Sequence, residues 1–172
     1  GGHGGTAVDG PRTRWYFAEG SQGFFDTFVL LANANDQPAN VTVTFLREGG
    51  PPPHVYPTTV KANSRDNVWT YLIPELANSS FAMVVDSDIP VIAERAMYFP
   101  GFANPMPGKR LFEGGHESAG VAEPATSWFH AEGATGPLFD EYILVGNPGT
   151  TPAEVTFTFL LDSGQTVVAR GT

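Results

Sequence analysis

Apolar and polar positions along the chain alternate with a period of two in several short runs. That pattern predicts strands with one buried face. Asn40–Glu48 sets Val41, Val43 and Phe45 against Thr42 and Thr44, and residues 154–162 repeat this as Val155, Phe157 and Phe159. FDTFVLLAN (25–33) and FDEYILVGN (139–147) are rich in β-branched and aromatic residues and close on Asn-containing turns. Further strands are expected over 54–60, 66–72, 80–87 and 90–99, with a single helical turn around Pro74–Ala77. So many short strands predict an all-β protein, an antiparallel β-sandwich of immunoglobulin-like type.

The same pattern occurs twice. Residues 1–20 match 114–133 at 10 of 20 positions, and 24–46 match 138–160 at 11 of 23. The unit is about 113 residues long, so the 172-residue chain holds about one and a half copies. Residues 1–113 are expected to form a first sandwich, and 114–172 the first half of a second. Half a sandwich cannot bury both of its sheets. A neighbouring repeat or subunit is therefore expected to complete it, either as the next stretch of a tandem array or by strand addition in a head-to-tail polymer.

Composition narrows the classes. The formal net charge is −9, and the only lysines are Lys61 and Lys109, so no basic cluster can displace counterions from nucleic acid or anionic lipid. No apolar run approaches the roughly 20 residues of a membrane span, so membrane insertion of this segment is not expected. The Gly-Gly-His start lacks the pattern of a secretory leader and reads as a mature or excised segment. Zero Cys removes disulfides, thiolate catalysis and Cys-ligated zinc. The 20 Gly and 15 Pro read as turns between strands.

The set W-[YF]-x-A-E-G (Trp15–Gly20, Trp128–Gly133), F-D-x-[FY]-[VI]-L-[LV]-x-N (25–33, 139–147) and S-D-I-P-V-I-A-E-R-A-M-Y-F (87–99) resembles tandem repeat modules of large secreted and cell-surface proteins of bacteria. The resemblance covers nearly the whole chain and implies export, tandem arrangement and an extracellular location. It implies no characterised activity.

Glu19 and Glu132 recur in an Ala-Glu-Gly context before Gly20 and Gly133. Each could bind Ca²⁺ or a sugar; the favoured reading is a structural one, with Glu19 pairing Arg95 or capping backbone amides. Trp15 and Trp128 are read as core aromatics. Four His without metal-site spacing (His3, His54, His116, His130) support no zinc site, and Asp86-Ser87-Asp88 reads as a turn. No phosphate loop is present, and His116–Gly120 lacks the strand–turn–helix context of a nucleophile elbow. Neither cofactor nor enzymatic activity is expected. Asn40 and Asn78 open formal glycosylation sequons.

Two functions remain. One is a non-enzymatic extracellular module forming a stalk, fibre or filament with identical or homologous repeats. The other is an adhesin-like module that binds polysaccharide or a host surface through aromatics such as Trp69, Tyr71, Tyr98 and Phe102.

Overall fold

The computed structural model describes Gly5 and residues 7–100, 112–138 and 140–171. Phe102, Lys109 and His3 lie outside the described residues. The chain is an all-β antiparallel sandwich built mainly from residues 12–121, with strands β1 (Arg12–Phe17), β2 (Ser21–Gln22), β3 (Asp26–Asn33), β4 (Ala39–Arg47), β5 (His54–Val60), β6 (Ser64–Trp69), β7 (Ser79–Pro100) and β8 (Phe112–Ala119). These eight form one continuous sheet folded onto itself. A separate hairpin, β9 (Val155–Leu160) and β10 (Thr166–Gly171), lies in the second repeat. Two short 3₁₀ turns, Thr70–Leu72 and Pro74–Leu76, link β6 to β7.

The 22-residue β7 belongs to both layers. Its first half pairs with β4 (Val41↔Ser87 to Arg47↔Phe81) and, on the other edge, with β1 (Phe17↔Met83, Arg14↔Asp86). Its second half pairs with β3 (Asp26↔Tyr98 to Ala32↔Ile92) and with β8 (Ala96↔Glu117, Arg95↔Ser118). The layers are therefore β5-β4-β7-β1 and β6-β3-β7-β8. The sequence pattern reads 80–87 and 90–99 as separate strands, with a turn at Asp86-Ser87-Asp88 and the second strand opening on Pro90, whereas one strand runs through all of these residues. Pro90 instead occupies the changeover, where neither β4 nor β3 is in register and a missing N–H breaks no ladder bond.

Alternation decides what goes inside. In β4, Ala39, Val41, Val43 and Phe45 are buried while Asn40, Thr42 and Thr44 face outward. Trp15, Phe17, Val29, Leu31, Phe81, Met83, Val85 and Val91 meet them from the other strands. Phe45 and Phe81 pack edge to face at 5.2 Å, and the buried Trp15 indole N–H donates to the Val91 carbonyl at 2.8 Å. Gly20 is required by close approach, since a Cβ there would overlap the Phe81 ring.

The turn closing β3 shows that local and tertiary structure are separable. Asn33 Nδ2 donates to the Gln37 carbonyl at 2.8 Å, and Asn35 N donates to Asn33 Oδ1 at 3.0 Å. In the second repeat Asn147 Nδ2 donates to the Thr151 carbonyl at 2.8 Å, and Gly149 N donates to Asn147 Oδ1 at 2.9 Å. The same Asx turn forms in both copies, yet residues 140–147 form no strand and their side chains are exposed.

The sequence repeat and the packed unit are out of phase. The repeat boundary at 113/114 lies inside β8, and residues 114–121 complete the first sandwich rather than begin a second. Past Gly120 the chain crosses to the other layer, where Val121 exchanges backbone hydrogen bonds of 2.8 and 2.9 Å with Tyr16.

The division between a closed and an open repeat predicts unequal costs for equivalent truncations. Phe45→Ala is expected to lose about 3–5 kcal/mol, the range for a buried Phe. Phe159→Ala, at the corresponding position but 36% exposed, is expected to lose less than about 1 kcal/mol. Urea unfolding of the two variants checks this.

Candidate interaction site at the seam between repeats

A buried polar cluster fastens β8 onto the first sandwich. Arg95 on β7 is 5% exposed, and its register partners Val29 and Ser118 lie on either side. Its guanidinium forms an ion pair with Glu19 and donates to the Glu19 carbonyl at 3.3 Å. Nη2 donates to Ser118 Oγ at 3.1 Å and lies 3.2 Å from His116 Nδ1. Three chain segments thus converge on one cation: the link between β1 and β2, the second half of β7, and β8 from the second sequence repeat. A guanidinium suits this place because its planar fork satisfies several acceptors at once.

Glu94, on the opposite face of β7 from Arg95, takes part in a second electrostatic contact. Burial raises its carboxyl above the ordinary value of 4.5, and the nearby Glu117 charge and a hydrogen bond with Glu117 add to the rise, while Arg65 opposes it. On the other layer Asp88 is held below its ordinary range by hydrogen bonds from Asn40 N (2.8 Å) and Asn40 Nδ2 (2.7 Å). Asn78 is exposed at φ 53°, in the turn before β7.

The aromatic candidates form a row on the outer face of the β6-β3-β7-β8 layer. Trp69 stacks on its cross-strand partner Phe28 (5.3 Å, 11°) and on Tyr71 (5.1 Å, 27°), and donates its indole N–H to Asp26 Oδ1 at 3.0 Å. Tyr98 packs against Phe28 and Phe112 at 5.7 and 5.0 Å. The centroid spacings match the distance between neighbouring strands. The rings are largely engaged with one another, leaving Tyr71 and Phe112 as the most exposed members. His116 is read from the repeated Gly-Gly-His as a turn or interface histidine and Ser118 only within a rejected nucleophile elbow, while Phe28 and Phe112 are not singled out; a site formed across three strands leaves no local spacing that joins them.

In the second repeat the motif residues are solvent-facing. Trp128 is 56% exposed, against 2% for Trp15. Glu132 is exposed, and Gly133 lies beside the Glu141 carboxylate instead of an aromatic ring. Ile143 and Val145 are exposed where Val29 and Leu31 are buried. A groove of about 260 Å³ is lined by Val145, Pro152, Ala153, Val155 and Phe157, the counterparts of Leu31, Pro38, Ala39, Val41 and Val43. A Cβ added at Gly146 would meet Ala18 and Ala82 at 3.2 and 3.3 Å, so the open segment passes close to the closed unit. Among the described residues no group of His, Asp or Glu is placed to hold a metal ion, and no helix is long and apolar enough to cross a membrane.

No family model matches the chain. No curated protein sequence matches it. Among solved structures, Thermotoga maritima 1070 is similar at 17% identity and a TM-score of 0.55, over 67% of this chain and 97% of that one, a likeness of fold. The Anabaena sensory rhodopsin transducer aligns at 26% identity with a TM-score of 0.44, over 52% of this chain and 86% of that one.

Two predictions follow from the polar contacts. Arg95→Ala strands Glu19 and opens a hole beneath β8; a cost of about 3 kcal/mol is expected, the low end for breaking a buried pair, because Glu19 keeps 29% exposure. Chemical unfolding measures it. Glu94 has a raised carboxyl, so the folded state favours the protonated form. Its contribution is most favourable below about pH 4.5 and is lost as pH rises through the raised folded value. Glu94→Gln is therefore expected to be more stable than the parent at pH 7, with the difference vanishing towards pH 4. Thermal melts across that range read the trend, and a larger advantage in acid would reverse the assignment.

Proposed function

We propose that this chain is a non-enzymatic structural module of an extracellular, surface-attached assembly. In this reading, successive repeats share strands to build a stalk, fibre or filament. One observation carries it: the first residues of the second sequence repeat, 114–121, form the closing strand and sheet-to-sheet link of the first sandwich. A repeat joined to its neighbour by a flexible linker would have no use for such overlap. Here the connection is a β-ladder supported by a buried arginine, which makes for a stiff joint. The open apolar face of residues 122–171 supports the same reading, since a sheet edge with an uncovered core face is a template for further strand pairing. The secreted-repeat resemblance supports an extracellular, cell-surface location.

The carbohydrate- or surface-binding alternative rests on the aromatic row. Sugar stacking needs a free ring face, and Trp69 is already stacked on Phe28 and Tyr71. The structural role is the better supported of the two.

Chains of one, two, three and four complete repeats test the reading by small-angle X-ray scattering. Maximum dimension is expected to rise by a constant increment per repeat while the cross-sectional radius stays fixed. Dimensions that instead scale as a flexible string of beads would sink the rod.

A further inference from the structure

The first repeat shows what the second repeat's open face is shaped to accept. β4 is paired on both edges, by β5 on one side and by Phe81–Ser87 of β7 on the other. Its counterpart β9 is paired by β10 alone, from Val155↔Gly171 to Leu160↔Thr166. Among the described residues, the other edge of β9 is unpaired. Of the residues lining the groove beside it, Val145, Ala153, Val155 and Phe157 correspond to Leu31, Ala39, Val41 and Val43, which are buried in the core of the first repeat.

Charge carries the correspondence further. In the first repeat the Ala-Glu-Gly carboxylate of Glu19 meets Arg95, which stands opposite Val29. In the second, Glu132 and Ile143 occupy those positions, and Glu132 is exposed with no arginine against it among the described residues. Trp128 repeats Trp15, but its indole N–H donates to the nearby Ala125 carbonyl at 3.1 Å, whereas Trp15 donates to Val91 on β7.

We propose that residues 122–171 form an acceptor site for one kind of partner: a long, sheet-switching strand of the β7 type. The strand runs antiparallel to β9, alternates apolar side chains into the groove, and places an arginine opposite Ile143 to meet Glu132. Main-chain bonds to Val155–Leu160 set its register, the groove selects apolar residues at alternate positions, and Glu132 selects the cation. This rests on the shared-strand reading above and names the partner that reading leaves open. A second β9 edge is excluded as the occupant by the same chemistry: β9 is VTFTFL and brings no arginine to Glu132.

The test titrates a synthetic peptide of the Ser79–Pro100 sequence into the full 172-residue chain. Trp128 emission reports its burial, and Trp128→Phe identifies the signal. The expected result is a saturable blue shift at one peptide per chain, absent in Trp128→Phe. A peptide carrying Arg95→Glu is expected to bind at least about tenfold more weakly, and a chain carrying Glu132→Arg to restore that peptide's binding. The same strand is also presented covalently, by extending the chain after residue 172 with a copy of residues 61–100 in which the copy of Trp69 is replaced by Phe, so self-association of the peptide does not decide the outcome. The extended chain is expected to show the blue shift intramolecularly and to lose it when the grafted copy of Arg95 becomes glutamate. No shift in either format, equal binding of the charge-reversed peptide, or a parent chain that already dimerises with Trp128 buried would overturn the proposal. Rod-like arrays whose repeats show no charge preference would remove this acceptor chemistry and leave the stalk standing. A charge-selective peptide with string-like arrays would do the reverse.

Discussion

The fold depends on one strand passing through both layers. β7 supplies the central ladder of each: its first half lies between β4 and β1, its second between β3 and β8. A sandwich whose two sheets are built from separate strands is held together by side-chain packing and loops. Here the covalent backbone also ties the layers, and the inward residues of one strand, from Phe81 through Val91 to Arg95, line the interior from one layer to the other. The second repeat makes the complementary point. Its described residues hold the aromatic motif, the Asx turn and a hairpin, and most of their apolar side chains are exposed.

That contrast explains why some of the fold was legible and some was not. β4 and β5 emerge where alternation places them, because a strand with one wet face carries its own period. The all-β antiparallel class follows from the same pattern. Residues 139–147 carry a β-favouring sequence nearly as strong as that of β3, but among those described no strand forms, since β-propensity expresses packing against neighbours more than backbone preference. β8 fails in the opposite sense. FEGGHESA offers little propensity, and it is a strand because β7 presents an open edge. Pro90 interrupts the pattern without interrupting the strand, for the edge reasons that let proline sit where no ladder bond is needed.

The polar site was half legible. A lone arginine among strand residues and a carboxylate recurring in the repeat point to each other because a buried charge requires a partner. His116 and Ser118 join them only through the Arg95↔Ser118 register, a relation between positions 23 residues apart that no local motif records. The same holds for the aromatic row, in which Phe28 and Trp69 are 41 positions apart and become neighbours by pairing.

The phase shift between repeat and packed unit also orders events in time. β1 is made first, but its ladder partner on β7 follows about seventy residues later, and the strand that shuts the sandwich belongs to the next repeat. Domains emerging from a ribosome or a secretion pore generally fold as units once complete. In this chain the first unit is complete only after the second repeat has begun to appear. Until residues 112–119 arrive, the edge of β7 from Glu94 to Pro100 that β8 takes stays unpaired, and the strand that closes it is the next one made.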